Sequence, residues 1–286
     1  MKISIRASMQ RMRGSDAHPL RWAFEQGSQL GYDGLELCMR ADRNGFVTFL
    51  SDEVRQGVVA LSQEFNMPIY SLSADWAWAY AVFNPTYKEW GRGVEFLAED
   101  AKLAQQLGAH TILVHFATSK GSWEDCKALL KDVASAGEQY GVRFGYEANI
   151  WASTTGFGEL DSLLRMVDEV GSPYFGVYLH NAWPRGGLPL HEEIARCGER
   201  LVQAMHSSSL VSGGVEIDWP KAFAVMKRFF PDGAYTFEVP WEEAAENKKI
   251  IDEALAQYWW RHFLQRHFTL LTGGERHAGG RRFVEH

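Results

Sequence analysis

The chain has 286 residues, 46% hydrophobic and 23% charged, which suits one large α/β domain with a sizeable core. A formal charge of −7 argues against a partner held mainly through phosphate backbone, since such binding rests on clustered Lys and Arg, so no nucleic-acid partner is expected. Three scattered cysteines (Cys38, Cys126, Cys197) in no CxxC spacing argue against a disulfide framework or a thiolate metal site.

In chain order, short β-branched or apolar runs alternate with longer stretches of helical spacing, and the helices tend to end in Gly. The predicted strands are Lys2–Arg6, Gly34–Leu37, Pro68–Leu72, Thr111–His115, Val142–Glu147, Phe175–Leu179, Leu201–His206 and Ala234–Glu238. Among the helices between them, Trp90–Leu107 is closed by Gly108 and Cys126–Tyr140 by Gly141. Eight such units without a low-complexity linker predict a single (β/α)8 TIM barrel over residues 1–272. The rival, a doubly wound open sheet, usually carries a glycine-rich phosphate loop after its first strand, and Arg6–Gly14 holds no GxGxxG. Residues 273–286 fall outside the pattern and are expected to be disordered or to dock on a partner subunit in a homo-oligomer.

No apolar run approaches the ~18–20 residues of a membrane span, and the opening MKISIRASMQRMRG lacks the apolar stretch of a signal peptide. The expected location is cytoplasmic, with no membrane partner.

Barrel active sites lie at the C-terminal ends of strands. The fifth, seventh and eighth predicted strands end at Glu147, His206 and Glu238, and His180 directly follows the sixth, at a spacing of roughly the 30 residues of one βαβ unit. Two carboxylates and two imidazoles would then converge at one depth, a donor set that suits a first-row divalent ion. The plainer account is four unrelated polar residues at strand ends. Other candidates are single residues. Trp76, in Asp75-Trp76-Ala77-Trp78-Ala79-Tyr80, offers a flat face suited to the C–H side of a sugar, although most of the eleven Trp serve packing. Glu36 is placed to bind a hydroxyl, and His115 to contact substrate or donate protons, unless it is a satisfied barrel histidine. Asn149 follows Glu147 closely enough to reach its ligand. Arg185, in Trp183-Pro184-Arg185-Gly186-Gly187, would cover the site from a glycine-flanked loop, or simply lie on an exposed one.

With Gly31-Tyr32-Asp33-Gly34-Leu35-Glu36-Leu37, Ala104-Gln105-Gln106-Leu107-Gly108-Ala109 and Gly214-Val215-Glu216-Ile217-Asp218-Trp219, these strand ends resemble the sugar phosphate isomerase/epimerase superfamily. That is the xylose isomerase-like TIM barrel group, and the likeness spans roughly residues 1–260. Family ligands are usually Glu, Asp, His and Glu, matched here by Glu147, His206 and Glu238. His180 stands where the Asp is expected, Trp183 where a His or Asn often follows, and Ser207-Ser208-Ser209 where a Lys or Ser and then an Asp is common. An imidazole in place of a carboxylate removes a negative charge and softens the site, so Mn, Fe, Co or Zn is expected ahead of Mg.

The resemblance implies a small carbohydrate substrate and proton abstraction beside a carbonyl, with Glu147 and Glu238 as base and acid. Return of the proton gives epimerisation or isomerisation. Loss of a β-substituent from a keto sugar or 3-keto-glycoside would instead make the enzyme a lyase. An endonuclease IV-like nuclease would want more ligands and a basic groove. A non-catalytic sugar-binding barrel would lose binding strength rather than turnover on metal removal.

Overall fold

The computed structural model describes residues 2–8, 19–39, 52–74, 87–114, 122–148, 160–181, 188–206 and 217–271. The strands are β1 (Lys2–Ser8), β2 (Gly34–Cys38), β3 (Ile69–Ser73), β4 (Thr111–Val114), β5 (Arg143–Ala148), β6 (Phe175–Asn181), β7 (Leu201–His206) and β8 (Ala234–Phe237). The helices among the described residues are α1 (Pro19–Gln29), α2 (Asp52–Glu64), α3 (Tyr87–Leu107), α4 (Trp123–Tyr140), α5 (Leu160–Val170), α6 (Leu190–Cys197), α7 (Trp219–Phe229) and α8 (Ala244–Leu271). Neighbouring strands pair in parallel in sequence order, and β1 pairs β8 to close the barrel. The fold is the expected (β/α)8 barrel. None of the described helices is long and apolar enough to cross a membrane.

Local chemistry sets the helix limits. Before α4, Ser122 accepts from the Asp125 amide while the Asp125 carboxylate accepts from the Ser122 amide, a reciprocal capping box. That box starts the helix at Trp123, three residues before the position that apolar spacing alone predicts. Gly141 ends it at φ 68°, a left-handed conformation that favours glycine. Asp218 caps α7 by accepting from the Lys221 amide, with a proline in the first turn.

The strands of a parallel barrel are covered on both faces and usually read as continuous apolar runs. Here they alternate instead. Ile3, Ile5, Leu35, Leu37, Leu72, Ile112, Phe144, Val177, Tyr235 and Phe237 belong to the main apolar core with the helices. The interleaved positions Ser4, Arg6, Glu36, Ser71, Ser73, Tyr178, Gln203 and Thr236 are linked to one another by hydrogen bonds or ion pairs across the barrel. Tyr178 packs with Leu113 in a small cluster apart from the main core. The lumen is therefore largely polar, and its buried side chains are hydrogen-bonded or ion-paired to each other, as burial demands.

Gly145 makes room for that lumen. A Cβ at this position would lie 2.8 Å from the Tyr178 Cβ, on the strand next door. Gly145→Ala is therefore expected to destabilise the fold by about 1–3 kcal/mol through overpacking. Urea unfolding checks it; a variant as stable as the parent would mean that β5 and β6 separate freely there.

Candidate active site

β1 carries Arg6 to the mouth, paired in register with Glu36 of β2. The Arg6 side chain is 8% exposed and its guanidinium ties four strands together. Nη1 donates to Glu238 Oε1 just beyond β8 at 2.7 Å, and Nη2 to Ser73 Oγ on β3 at 2.8 Å and Cys38 Sγ on β2 at 3.4 Å. Nε lies 3.6 Å from Glu36 Oε1, so one cation stands between two carboxyl groups. Glu36 is fully buried and accepts from Ser71 Oγ at 2.6 Å and from the Tyr178 hydroxyl. Burial pushes the Glu36 carboxyl up; Arg6, Ser71 and Tyr178 oppose that rise. The Tyr178 hydroxyl is pushed well above its ordinary value, by burial first and by the neighbouring Glu36 second. Beneath them, the Gln203 amide donates to Thr236 Oγ1 at 2.7 Å and Ser71 Oγ at 2.8 Å.

On the β5–β6 side, Glu147 stands in register with Tyr178, two residues before His180. Glu147 is 4% exposed, and its carboxylate is in direct contact with His180 Nδ1. His180 Nε2 is buried without a hydrogen-bond partner. A carboxylate that engages one ring nitrogen orients the imidazole and leaves the other nitrogen free to ligate a metal or carry a proton. A buried polar atom left in this state points to a group the site is built to receive. Glu147 and His180 thus fit a divalent ion by donor chemistry. Among the described residues, no set of three or more His, Cys, Asp or Glu is gathered closely enough to hold one.

Of the residues singled out in the sequence, the structure brings Glu147 and His180 together. Glu238 joins Arg6, with its side chain 34% exposed. Glu36 sits in the closed lumen next to the same arginine. His206 ends β7, one register row beyond His180: His180 pairs with Met205, which pairs in turn with Thr236, whereas His206 pairs with Asn181 and Phe237. An extra residue in β7 opposite the Val177–Tyr178 step brings His206 back by one row, so that it stands one row beyond His180 and not two. Trp76, His115, Asn149 and Arg185 lie outside the described residues, as does the tail from 273 onwards. Arg6 was not singled out. Its signal was the alternation Ile3-Ser4-Ile5-Arg6-Ala7, a period-two pattern ending in a charge at the mouth.

No curated protein sequence matches the chain. Among solved structures it is similar to D-allulose 3-epimerase from Methylomonas sp., at 18% identity and TM-score 0.69, over 90% of this chain and 98% of that one. It is also similar to L-ribulose 3-epimerase, at 16% identity and TM-score 0.68, over 97% and 99%. A third is 3-keto-D-glucoside 4-epimerase from E. coli, at 14% identity and TM-score 0.66, over 90% and 98%. At these identities the likeness is one of fold. Residues 24–263 match the sequence model of the xylose isomerase-like TIM barrel. With most of its length inside that match, and a closed eight-stranded parallel barrel to carry it, the chain belongs to the xylose isomerase-like TIM barrel family.

Proposed function

We propose that the chain is a metal-dependent sugar isomerase or epimerase that moves a proton on a carbon beside a carbonyl. The observation that carries this reading is the Glu147–His180 pair at the barrel mouth, with its unpartnered, buried Nε2. The three similar epimerases named above support a small carbohydrate as substrate. Glu147 and His180 would hold the ion; Glu238, which contacts Arg6 in this structure, and His206 would join as further ligands by moving in when the ion binds. When bound, a divalent ion supplies positive charge that stabilises an enolate beside a carbonyl.

The protein's own groups do the rest. Glu147 takes the carbon-bound proton, and Glu238, beyond β8, returns one from a different side of the mouth. Arg6 fixes the position of the Glu238 carboxylate through its Nη1 contact. The enclosed lumen below keeps water from the inner side of the site.

A second reading shares the first step. His180 Nε2 is also placed to hand a proton to a departing hydroxyl or alkoxide, which would turn the same enolate towards elimination. Incubating the metal-loaded protein with ketoses and 3-keto-glycosides separates the two. A new stereoisomer of unchanged mass supports epimerisation, and loss of water or an alcohol supports the lyase. No product from any sugar with Mn, Co, Zn or Fe would sink both.

The imidazole ligand has its own consequence. His180→Asp is expected to retain metal but shift preference towards harder ions such as Mg, since oxygen replaces nitrogen. Competition between Mg and Zn, read by metal content, checks this; an unchanged ratio would place His180 outside the coordination shell.

A further inference from the structure

An aromatic shelf stands beside the mouth, apart from the residues assigned above. Trp22, in the first turn of α1, meets Trp241 at 5.0 Å between ring centroids, with the planes at 61°. Together with Pro240 and Glu242 they line a cavity of about 370 Å³, within the roughly 300–1,000 Å³ usual for small-molecule sites. Trp22 is 43% exposed, the one large apolar side chain so exposed among the described residues.

Its position follows from the topology. α1 begins after the C-terminal end of β1, and Trp241 follows the C-terminal end of β8, so both lie on the catalytic face. Only two residues, Val239 and Pro240, stand between Glu238 and Trp241, so the two are at most about 11 Å apart along an extended chain. The shelf therefore borders the Arg6–Glu238 side of the mouth.

We propose that this shelf is a second sugar subsite, which holds the outer pyranose ring of a glycoside or disaccharide whose first ring occupies the barrel mouth. The proposal rests on the carbohydrate reading above and narrows its substrate class to sugars of at least two rings. An indole face suits the apolar C–H face of a pyranose, and the exposed Glu242 carboxylate at its edge accepts hydrogen bonds from ring hydroxyls. A protein partner fits less well. A stable interface needs roughly 800 Å² per side, whereas one Trp side chain buries about 150–250 Å².

The test measures binding to the full-length, metal-loaded protein of D-glucose, D-fructose, cellobiose, maltose, sucrose and trehalose. Tryptophan fluorescence gives the Kd and saturation-transfer NMR shows which ring is in contact. At least one disaccharide is expected to bind about tenfold more tightly than its own monosaccharide units, equivalent to ~1.4 kcal/mol, with transfer to both rings. In Trp22→Ala that advantage should fall to within about twofold, while monosaccharide binding is unchanged. Trp22→Phe, which keeps a flat ring, should retain most of it, and Glu242→Gln should lose part. A disaccharide advantage that survives Trp22→Ala, or none for any disaccharide, overturns the proposal. Deuterium exchange on a monosaccharide without any disaccharide preference would leave the catalytic reading standing and the subsite refuted. Trp22-dependent disaccharide binding without exchange on any sugar would do the reverse.

Discussion

Glu147→Gln is expected to lower turnover by on the order of 10²–10⁴, the usual worth of a general acid–base group, while weakening substrate binding far less. The glutamine keeps the shape and one oxygen donor but cannot accept the carbon-bound proton. It also exchanges a charged partner of His180 Nδ1 for a neutral one, which weakens the hold on the imidazole. Metal content must be matched to the parent protein, because lost ligation would add to the loss of rate. Glu238→Gln should fall in the same range. A variant with normal turnover at matched metal content would reduce that glutamate to a ligand.

Arg6→Met is expected to cost about 3–5 kcal/mol of stability, because removing one member of a buried ion pair strands its partner's charge. The stranded group is Glu36, fully buried, while the more exposed Glu238 is partly solvated. The cost should depend on pH. Burial already raises the Glu36 carboxyl, and Arg6 is the strongest influence holding it down. Without Arg6 the native state retains the Glu36 proton to higher pH than the unfolded chain does. Stability then falls as pH rises beyond the unfolded carboxyl range, so the deficit is larger at about pH 8 than at about pH 5. Urea unfolding at the two pH values measures this. An equal deficit at both would mean that Glu36 is not the stranded charge. Arg6→Lys keeps the charge but not the planar fork that reaches Glu238, Ser73 and Cys38 together, and should recover only part of the loss.

The strands were legible in the sequence because each is a short apolar or β-branched run between helices that end in glycine. Glu147 and His180 were legible too, because a charged or imidazole side chain closing such a run stands at the barrel mouth. Arg6 and the polar lumen were missed for the complementary reason. A parallel strand is expected to be apolar on both faces, so the serines, Gln203 and Tyr178 read as incidental, although each is one half of an alternation. The position of His206 was beyond residue counting: β7 begins opposite Val177, a bulge at the Val177–Tyr178 step then draws it back one row, His206 still ends one row past His180, and neither the starting register nor the bulge has a signature in Leu201–His206 itself. Glu238 was placed at the correct strand end, but its partner is a residue on β1 at the other end of the barrel's chain order, which only closure of the sheet brings near.

Solvent deuterium exchange reports abstraction of the carbon-bound proton itself. Metal-loaded protein is incubated in deuterated water with the sugars of the panel, and label is located by NMR in recovered substrate and product. Deuterium is expected at the carbon beside the carbonyl, and is expected to be lost in Glu147→Gln and Glu238→Gln at matched metal occupancy. Product formed without label, or exchange at the parental rate in both variants, would contradict it.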